Sequence, residues 1–434
     1  MNVTEARDFY RNHFTQFEKD LSINQAWTRS LRHDAISRFT ELGFPGLRHE
    51  EWKYTNVQPI VEVPFELAEK RRNGAAKDIL SRLGLGNLIE NRLVFVNGHY
   101  ASGLSSIRTT EDVQAGHLSS MLSENPGRVE PYLARFASYR EQPFVALNTA
   151  WMQDGAYVYV SPGHSLSEPI HLVFVTTSQG EATVCYPRNL IVLGENSQAT
   201  IVETYLGGDN EVYWTNTVTE VVVGQNATVD HYKVQSESST AYHLATLQVH
   251  QNRSSQFSSL SICLGGALAR NDINSVLDGE GSECSLNGLY LADGQQHVDN
   301  HTRVDHVKPH CSSRELYKGI LNDKAKGVFN GKIYVHTDAQ GTDAKQTNKN
   351  LLLSEDATIN TKPQLEIYND NVKCTHGSTV GQLDQNGLFY LRSRGIHLSD
   401  ARRLMTYAFG SELVGQVKIE SLRGWLEENL YERF

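Results

Sequence analysis

A weak internal repeat in the middle of the chain constrains the fold more than any other feature. A polar turn followed by small and apolar residues recurs, and its aligned copies place Ala199, Ala227, Phe257 and Cys284 at steps of 28, 30 and 27 residues. Between about residues 156 and 370 the apolar pattern has the two-residue period of strands. A β-solenoid produces such a repeat, because each coil buries its inward face only against the next coil. A large β-sandwich is the alternative, and the repeat favours the solenoid.

Both ends of the chain have helical patterns instead. Residues 1–90 are predicted to form a helical domain, with a third helical piece around residues 75–83. The β core is predicted to span residues 91–376, with a helical insertion near residues 111–138. Residues 377–434 are predicted to form a second helical domain, whose apolar stripes either pack on the end of the solenoid or bind another protein. These helical segments are the expected caps of the solenoid.

Charge and cysteine usage narrow the function class. The formal net charge of −10 argues against a general affinity for nucleic acid or anionic membranes. There is no run of about 18 apolar residues that would span a membrane. The charged N-terminus lacks the apolar core of a signal peptide. The cysteines are five in number and widely scattered, which fits a reducing cytoplasm better than a disulfide framework.

The strand pattern ends in a thiol and an imidazole. Cys374 and His376 are spaced i,i+2, so an extended backbone would direct both side chains to the same face. Together they suit zinc, copper or iron–sulfur chemistry better than calcium or magnesium. A closed metal site wants four ligands, and a polar turn at a domain edge is the alternative interpretation.

Other sequence motifs are weaker evidence for a functional site. A group of histidines with a neighbouring cysteine has spacings that resemble metal sites, but an extended backbone would separate them, and a structural role is favoured: His297, His301, His306, His310 and Cys311. Three cysteines in apolar runs are predicted to fill the core: Cys185, Cys263 and Cys284. The segment Gly327–Ile333 hints at a phosphate loop but lacks its spacing and its Ser or Thr, so no nucleotide is expected to bind this chain. Two acidic pairs, Asp338 with Asp343 and Glu355 with Asp356, would be the candidates if the solenoid carried sugar chemistry.

The last third of the chain closely resembles the SufB/SufD family of iron–sulfur cluster assembly proteins. The resemblance rests on long motifs that run almost without gaps: Leu316–Ile320, Gly327–Lys332, Thr342–Gln346, Asn350–Ser354, Thr361–Gly377, Thr379–Asp384 and Leu388–Ile396. The N-terminal segment Arg48–Thr55 is similar to the SufD members in particular, and the cysteine-rich N-terminal motifs expected of SufB do not occur.

The resemblance implies a right-handed parallel β-helix between helical N- and C-terminal domains. It implies a non-enzymatic scaffold that builds and transfers nascent iron–sulfur clusters with two partners, SufB through the β-helix and the ATPase SufC through the C-terminal helices. His376 would be a ligand donated to a transient cluster at the SufB interface, and Cys374 a secondary candidate. A homodimer in the absence of SufB is left open. The alternative function is a cytosolic β-helix carbohydrate-active enzyme.

Overall fold

The computed structural model describes residues 1–21, 25–70, 74–82, 84, 89–178 and 180–433. The α-helices in these ranges are α1 (Val3–Asp20), α2 (Ala26–Leu42), α3 (Gln58–Val61), α4 (Gly74–Arg82), α5 (Leu118–Glu124), α6 (Pro126–Val129), α7 (Pro143–Trp151), α8 (Gln385–Ser393), α9 (Leu398–Val414) and α10 (Glu420–Glu432). Short 3-10 turns cover Glu50–Trp52 and Ser102–Leu104. None of the helices in the described ranges combines the length and apolar character that a membrane span requires.

The strands fall into a short N-terminal group and a long regular series. The first group comprises β1 (Glu66–Leu67), β2 (Arg92–Val96), β3 (His99–Tyr100), β4 (Val113–His117), β5 (Ala156–Val160), β6 (Ile170–Thr176), β7 (Thr183–Cys185) and β8 (Arg188–Leu193). The series comprises β9 (Gln198–Gly207), β10 (Tyr213–Val223), β11 (Thr228–Ser236), β12 (Tyr242–Gln251), β13 (Gln256–Cys263), β14 (Leu268–Leu277), β15 (Glu283–Ala292), β16 (His297–His306), β17 (Ser312–Leu321), β18 (Lys326–Val335), β19 (Thr342–Leu352), β20 (Thr358–Ile367) and β21 (Val372–Gly381).

Successive strands alternate between two parallel sheets and form a solenoid of about eight turns. The first sheet has the order β20-β18-β16-β14-β12-β10-β8-β5-β4, and the second has the order β21-β19-β17-β15-β13-β11-β9-β6-β2-β3. Each coil gives one strand to each sheet and pairs with the coil before it in parallel register. The predicted parallel β-solenoid is therefore confirmed, and the sandwich alternative is wrong.

The repeat alignment is correct at most positions and wrong at one. Ala199 pairs with Val229, Val229 with Phe257, and Phe257 with Cys284. The predicted member Ala227 lies in the turn before β11. Register follows the turn instead, because an asparagine occupies the left-handed region at the same turn position in both coils, with φ of 56° at residue 196 and 57° at residue 226.

Helices cover the outer faces of both sheets. In the N-terminal part, α1, α2 and α7 pack on the first sheet through an aromatic cluster that includes Trp151 and Trp214. The C-terminal helices α9 and α10 pack on the second sheet, where Leu422 and Leu426 join a cluster with Leu260. The expectation that the C-terminal helices cap the solenoid end is therefore wrong, because their apolar stripes are buried along its side.

The two ends of the solenoid differ. At the N-terminal end the ladders stop in antiparallel pairs, β2 with β3 and β4 with β5. At the C-terminal end, β20 and β21 are the last strands of their sheets. Strand β21 continues to Gly381, beyond the predicted domain boundary at residue 376, because it stays paired with β19 as far as Leu351. The predicted helical insertion near residues 111–138 contains β4 as well as α5 and α6.

The segment Arg48–Thr55 connects the N-terminal helices to the first sheet through side-chain contacts. The Trp52 ring lies 3.7 Å from the guanidinium of Arg270 on β14. The Thr55 hydroxyl donates to Asp299 Oδ2 on β16 at 2.6 Å, and Arg270 Nη1 donates to the same oxygen at 2.9 Å. Trp52 is buried, and the segment acts as a clasp, contacting the neighbouring strands β14 and β16.

Candidate functional site

Cys374 and His376 lie on β21 in the columns of residues that face the solenoid interior. Cys374 pairs with Ala344, which continues down the column to Ser313 and Cys284. These three residues are buried one, two and three coils earlier. The i,i+2 spacing therefore puts the thiol and the imidazole on the same inward face, as the strand pattern predicts.

No further coil covers these two positions. Every residue of β20 and β21 keeps some exposure, Cys374 is half-buried and His376 is exposed. The Cys374 side chain packs against a small apolar cluster that includes Ile333 and Ala344. Burial raises the pKa of the Cys374 thiol, and a soft metal would favour its thiolate form because the thiolate is the ligand.

The rim of the open end is partly apolar. Three large hydrophobic side chains remain exposed there: Ile367 (39%), Tyr368 (55%) and Val380 (50%). They lie on or directly beside edge strands, which present unpaired backbone groups. Exposed apolar side chains beside unpaired edges are typical of a surface that another chain covers.

Two buried polar residues that the sequence analysis missed lie beneath His376. Gln346 pairs with His376 across the last two coils, and Glu315 pairs with Gln346 one coil deeper. Gln346 Nε2 donates to Glu315 Oε2 at 3.1 Å, and the Thr302 hydroxyl donates to the same oxygen at 2.7 Å. Burial raises the pKa of Glu315 to about 7. Extending the repeat through Cys374 would have revealed this column.

The histidine group identified in the sequence does not converge. His301 lies on the outer face of β16, between Asp299 and Glu51, at 3.0 and 3.3 Å. His306 faces the interior, where Nε2 lies 2.9 Å from the Ser313 hydroxyl. Across the described ranges, no three side chains among His, Cys, Asp and Glu are grouped to hold a metal ion. The structural role of these histidines stays a prediction.

The structure also shows where other residues considered in the sequence analysis lie. Cys185, Cys263 and Cys284 are buried core thiols, as predicted. The phosphate-loop candidate lies inside strand β18, with no helix after it. Asp343 forms an exposed ion pair with Arg314 at 2.8 Å, and no finding supports a carbohydrate-active site.

The fold and the site together define a class: a parallel β-helix with one uncapped end that carries a thiol and an imidazole. Family models match almost the whole chain, the SufBD protein N-terminal region over residues 4–172 and the SufBD core domain of the SUF system of FeS cluster assembly over residues 174–409. The chain belongs to the SufBD family, and so to the SUF system of iron–sulfur cluster assembly.

Relatives in bacteria and plants agree with this assignment. The chain is 33% identical to an iron–sulfur cluster assembly SufBD family protein of Synechocystis over 92% of this chain and 89% of that protein. It is 33% identical to the iron–sulfur cluster assembly protein SufD of Escherichia coli over 89% of both chains. It is 29% identical to the chloroplastic protein ABCI7 of Arabidopsis thaliana over 91% of this chain and 83% of that protein.

Proposed function

We propose that this chain is a non-enzymatic scaffold that helps to build and transfer nascent iron–sulfur clusters at its open end. The cluster is the cargo, and His376 is the ligand that this chain donates to it. Cys374 is the secondary ligand or a site of sulfur handling. The observation that carries the proposal is an exposed imidazole beside a thiol at an uncapped end of the solenoid. Two donors are too few for a stable cluster, so a partner supplies the others.

The partner at the open end is SufB. It belongs to the same family as this chain and therefore has a similar β-helix. The exposed edge strands β20 and β21 and the apolar rim offer backbone and side-chain contacts to another solenoid. A site shared between two chains also explains release, because separating the chains removes half of the ligands. The ATPase SufC supplies the nucleotide-driven movement and docks on the C-terminal helices.

All five cysteines are free thiols, which supports action in a reducing compartment such as the cytoplasm. The open end would also accept a second copy of this chain when SufB is missing. That homodimer would bring two copies of His376 and Cys374 together. SufB is the favoured occupant, because the family resemblance of this chain is to the SufD members.

The His376→Ala variant tests the ligand role. Copurified with SufB and SufC and reconstituted with iron and sulfide, the wild-type complex should show visible iron–sulfur absorption. We expect the variant to lose most of this absorption while all three chains still copurify, because His376 is exposed and its side chain does not support the core. The matched control is His164→Ala, which removes a partly exposed histidine ion-paired with Asp112 near the opposite end. Unchanged absorption in His376→Ala would exclude the ligand role.

A further inference from the structure

In the side-chain amide of Gln346, the nitrogen is hydrogen-bonded and the oxygen is not, among the described residues. Its Nε2 donates to Glu315 Oε2, as described above. Its Oε1 is buried and accepts no hydrogen bond from any residue that the structure describes. Glu315 is fixed in turn by Thr302, so the amide cannot turn without breaking this chain of contacts. A buried carbonyl oxygen without a donor is costly and calls for an explanation.

The side-chain amide of Gln346 fills the space next to Gly331, where a larger residue would need room. Gly331 lies opposite on β18, and a Cβ at that position would approach Gln346 Nε2 to 2.3 Å. Any larger residue at position 331 would therefore push the amide from its place. In the described part of the chain, Gln346 pairs with His376 on the side toward the open end, and β21 is the last strand of that sheet.

We propose that Gln346 is a positioning residue for His376. The proposed contact requires the exposed His376 ring to turn toward Gln346, so that the imidazole N–H on the interior side donates to Oε1 and the lone pair of the other nitrogen is directed out of the open end. The inference rests on the proposed function, in which His376 is a ligand for a soft metal.

The chemistry of metal-binding histidines supports this assignment. Such a histidine usually donates its second ring N–H to a carbonyl, a carboxylate or water, which fixes both the tautomer and the ring orientation. Gln346 offers a neutral carbonyl on the strand next to His376. Glu315 acts one coil deeper, by holding the amide in the orientation that presents oxygen, and not nitrogen, to the ring.

The tautomer of His376 in the full-length free chain tests the proposal. Histidine labelled with ¹⁵N reports the tautomer through the shifts of its two ring nitrogens, at about pH 8.5, well above the ordinary imidazole pKa. The His376→Gln variant identifies the signals of His376. We expect one dominant tautomer in the wild type and a mixture in Gln346→Met, which keeps the size of the side chain but removes the acceptor.

A matched control separates positioning from general damage to the coil. Asn348→Met removes another buried amide from the same strand, two residues away, and should leave the His376 tautomer unchanged. The same tautomer in wild type and Gln346→Met would overturn the proposal, as would an equal shift in Asn348→Met. The outcome does not depend on cluster assembly. Full absorption in the His376→Ala complex would remove the ligand role and leave the tautomer result standing.

Discussion

Glu315 is a carboxyl group in the interior of the solenoid, and its environment decides its protonation. It is buried, and among the described residues its donors are the Thr302 hydroxyl and the Gln346 amide. Burial disfavours the charged form and raises the pKa from 4.5 to about 7. Between these two values the folded chain binds more protons than the unfolded chain. This residue therefore makes the free energy of unfolding fall as the pH rises from about 4.5 to about 7.

Glu315→Gln should remove this pH dependence, because an amide has the same shape and does not titrate. Relative to the wild type, we expect the variant to gain stability as the pH rises from 5 to 8. The gain is about 3 kcal/mol at most, at roughly 1.4 kcal/mol per pKa unit. Urea unfolding at both pH values measures the difference. A difference between variant and wild type that stays constant with pH would show that Glu315 is ionised throughout.

Sequence reasoning at the residue scale found Cys374 and His376 but not the residues beneath them. A thiol and an imidazole two residues apart stand out by chemistry alone. Glu315 and Gln346 do not, because a polar residue in a strand normally faces solvent, whereas these two are buried and the residues before them, Arg314 and Lys345, are the exposed ones. Only the pairing of successive coils places these polar side chains in one column under His376.

At the scale of elements, the buried guanidinium of Arg270 is one of the groups that anchor residues 48–55, and it pairs with both Asp272 and Asp299. Arg270 donates to Asp299 and to the backbone carbonyl of Glu51. Arg270→Met should lower the free energy of unfolding by about 3 kcal/mol, because it takes the guanidinium away from the buried Asp299 carboxylate and leaves His301 and Thr55 as its partners. Chemical denaturation measures the loss. Arg253→Met, at an exposed turn position, is the control and should change stability by about 0.5 kcal/mol or less. Equal effects of the two variants would rule out the clasp.

The C-terminal helices carry the other prediction at this scale. On α8, Phe389 and Tyr390 are 75% and 57% exposed. If α8 is part of the SufC surface, the double variant Phe389→Ser, Tyr390→Ser should abolish SufC copurification and keep SufB, because apolar anchors dominate binding energy. Leu47→Ser, at another exposed apolar residue, is the control. SufC retained by the double variant would place its docking surface away from α8.

Helices and strands could be predicted where a local sequence pattern determines them. Their positions were harder to predict where tertiary packing determines them. Strand and helix regions follow from period and turn residues, and the steps of the repeat follow from the stacked turns. The error at Ala227 arose because alanine was matched to alanine, whereas the turn asparagines set the register. The position of α9 and α10 on the side of the solenoid could not be read from their apolar stripes, since a stripe shows that a face is buried but not against what.

At the scale of the whole molecule, the open end is the predicted SufB surface. Val380→Lys puts a charge among the exposed side chains of β21, and a charged residue on an edge strand opposes further pairing. We expect loss of SufB copurification with SufC retained, and no loss of stability, because Val380 is half exposed. Val212→Lys, at an exposed valine between β9 and β10, is the control. SufB binding to Val380→Lys at the wild-type level would exclude docking at this end.

The antiparallel strand pairs at the N-terminal end of the solenoid bear on how many copies of such a rod can associate. A rod that could accept neighbours at both tips would polymerise into a fibre. Here the sheets end at one tip in the short antiparallel strands β3 and β4, which offer little length for pairing with another chain. If rods join through the opposite, open tip, as proposed, their association stops at a dimer and does not extend into a filament.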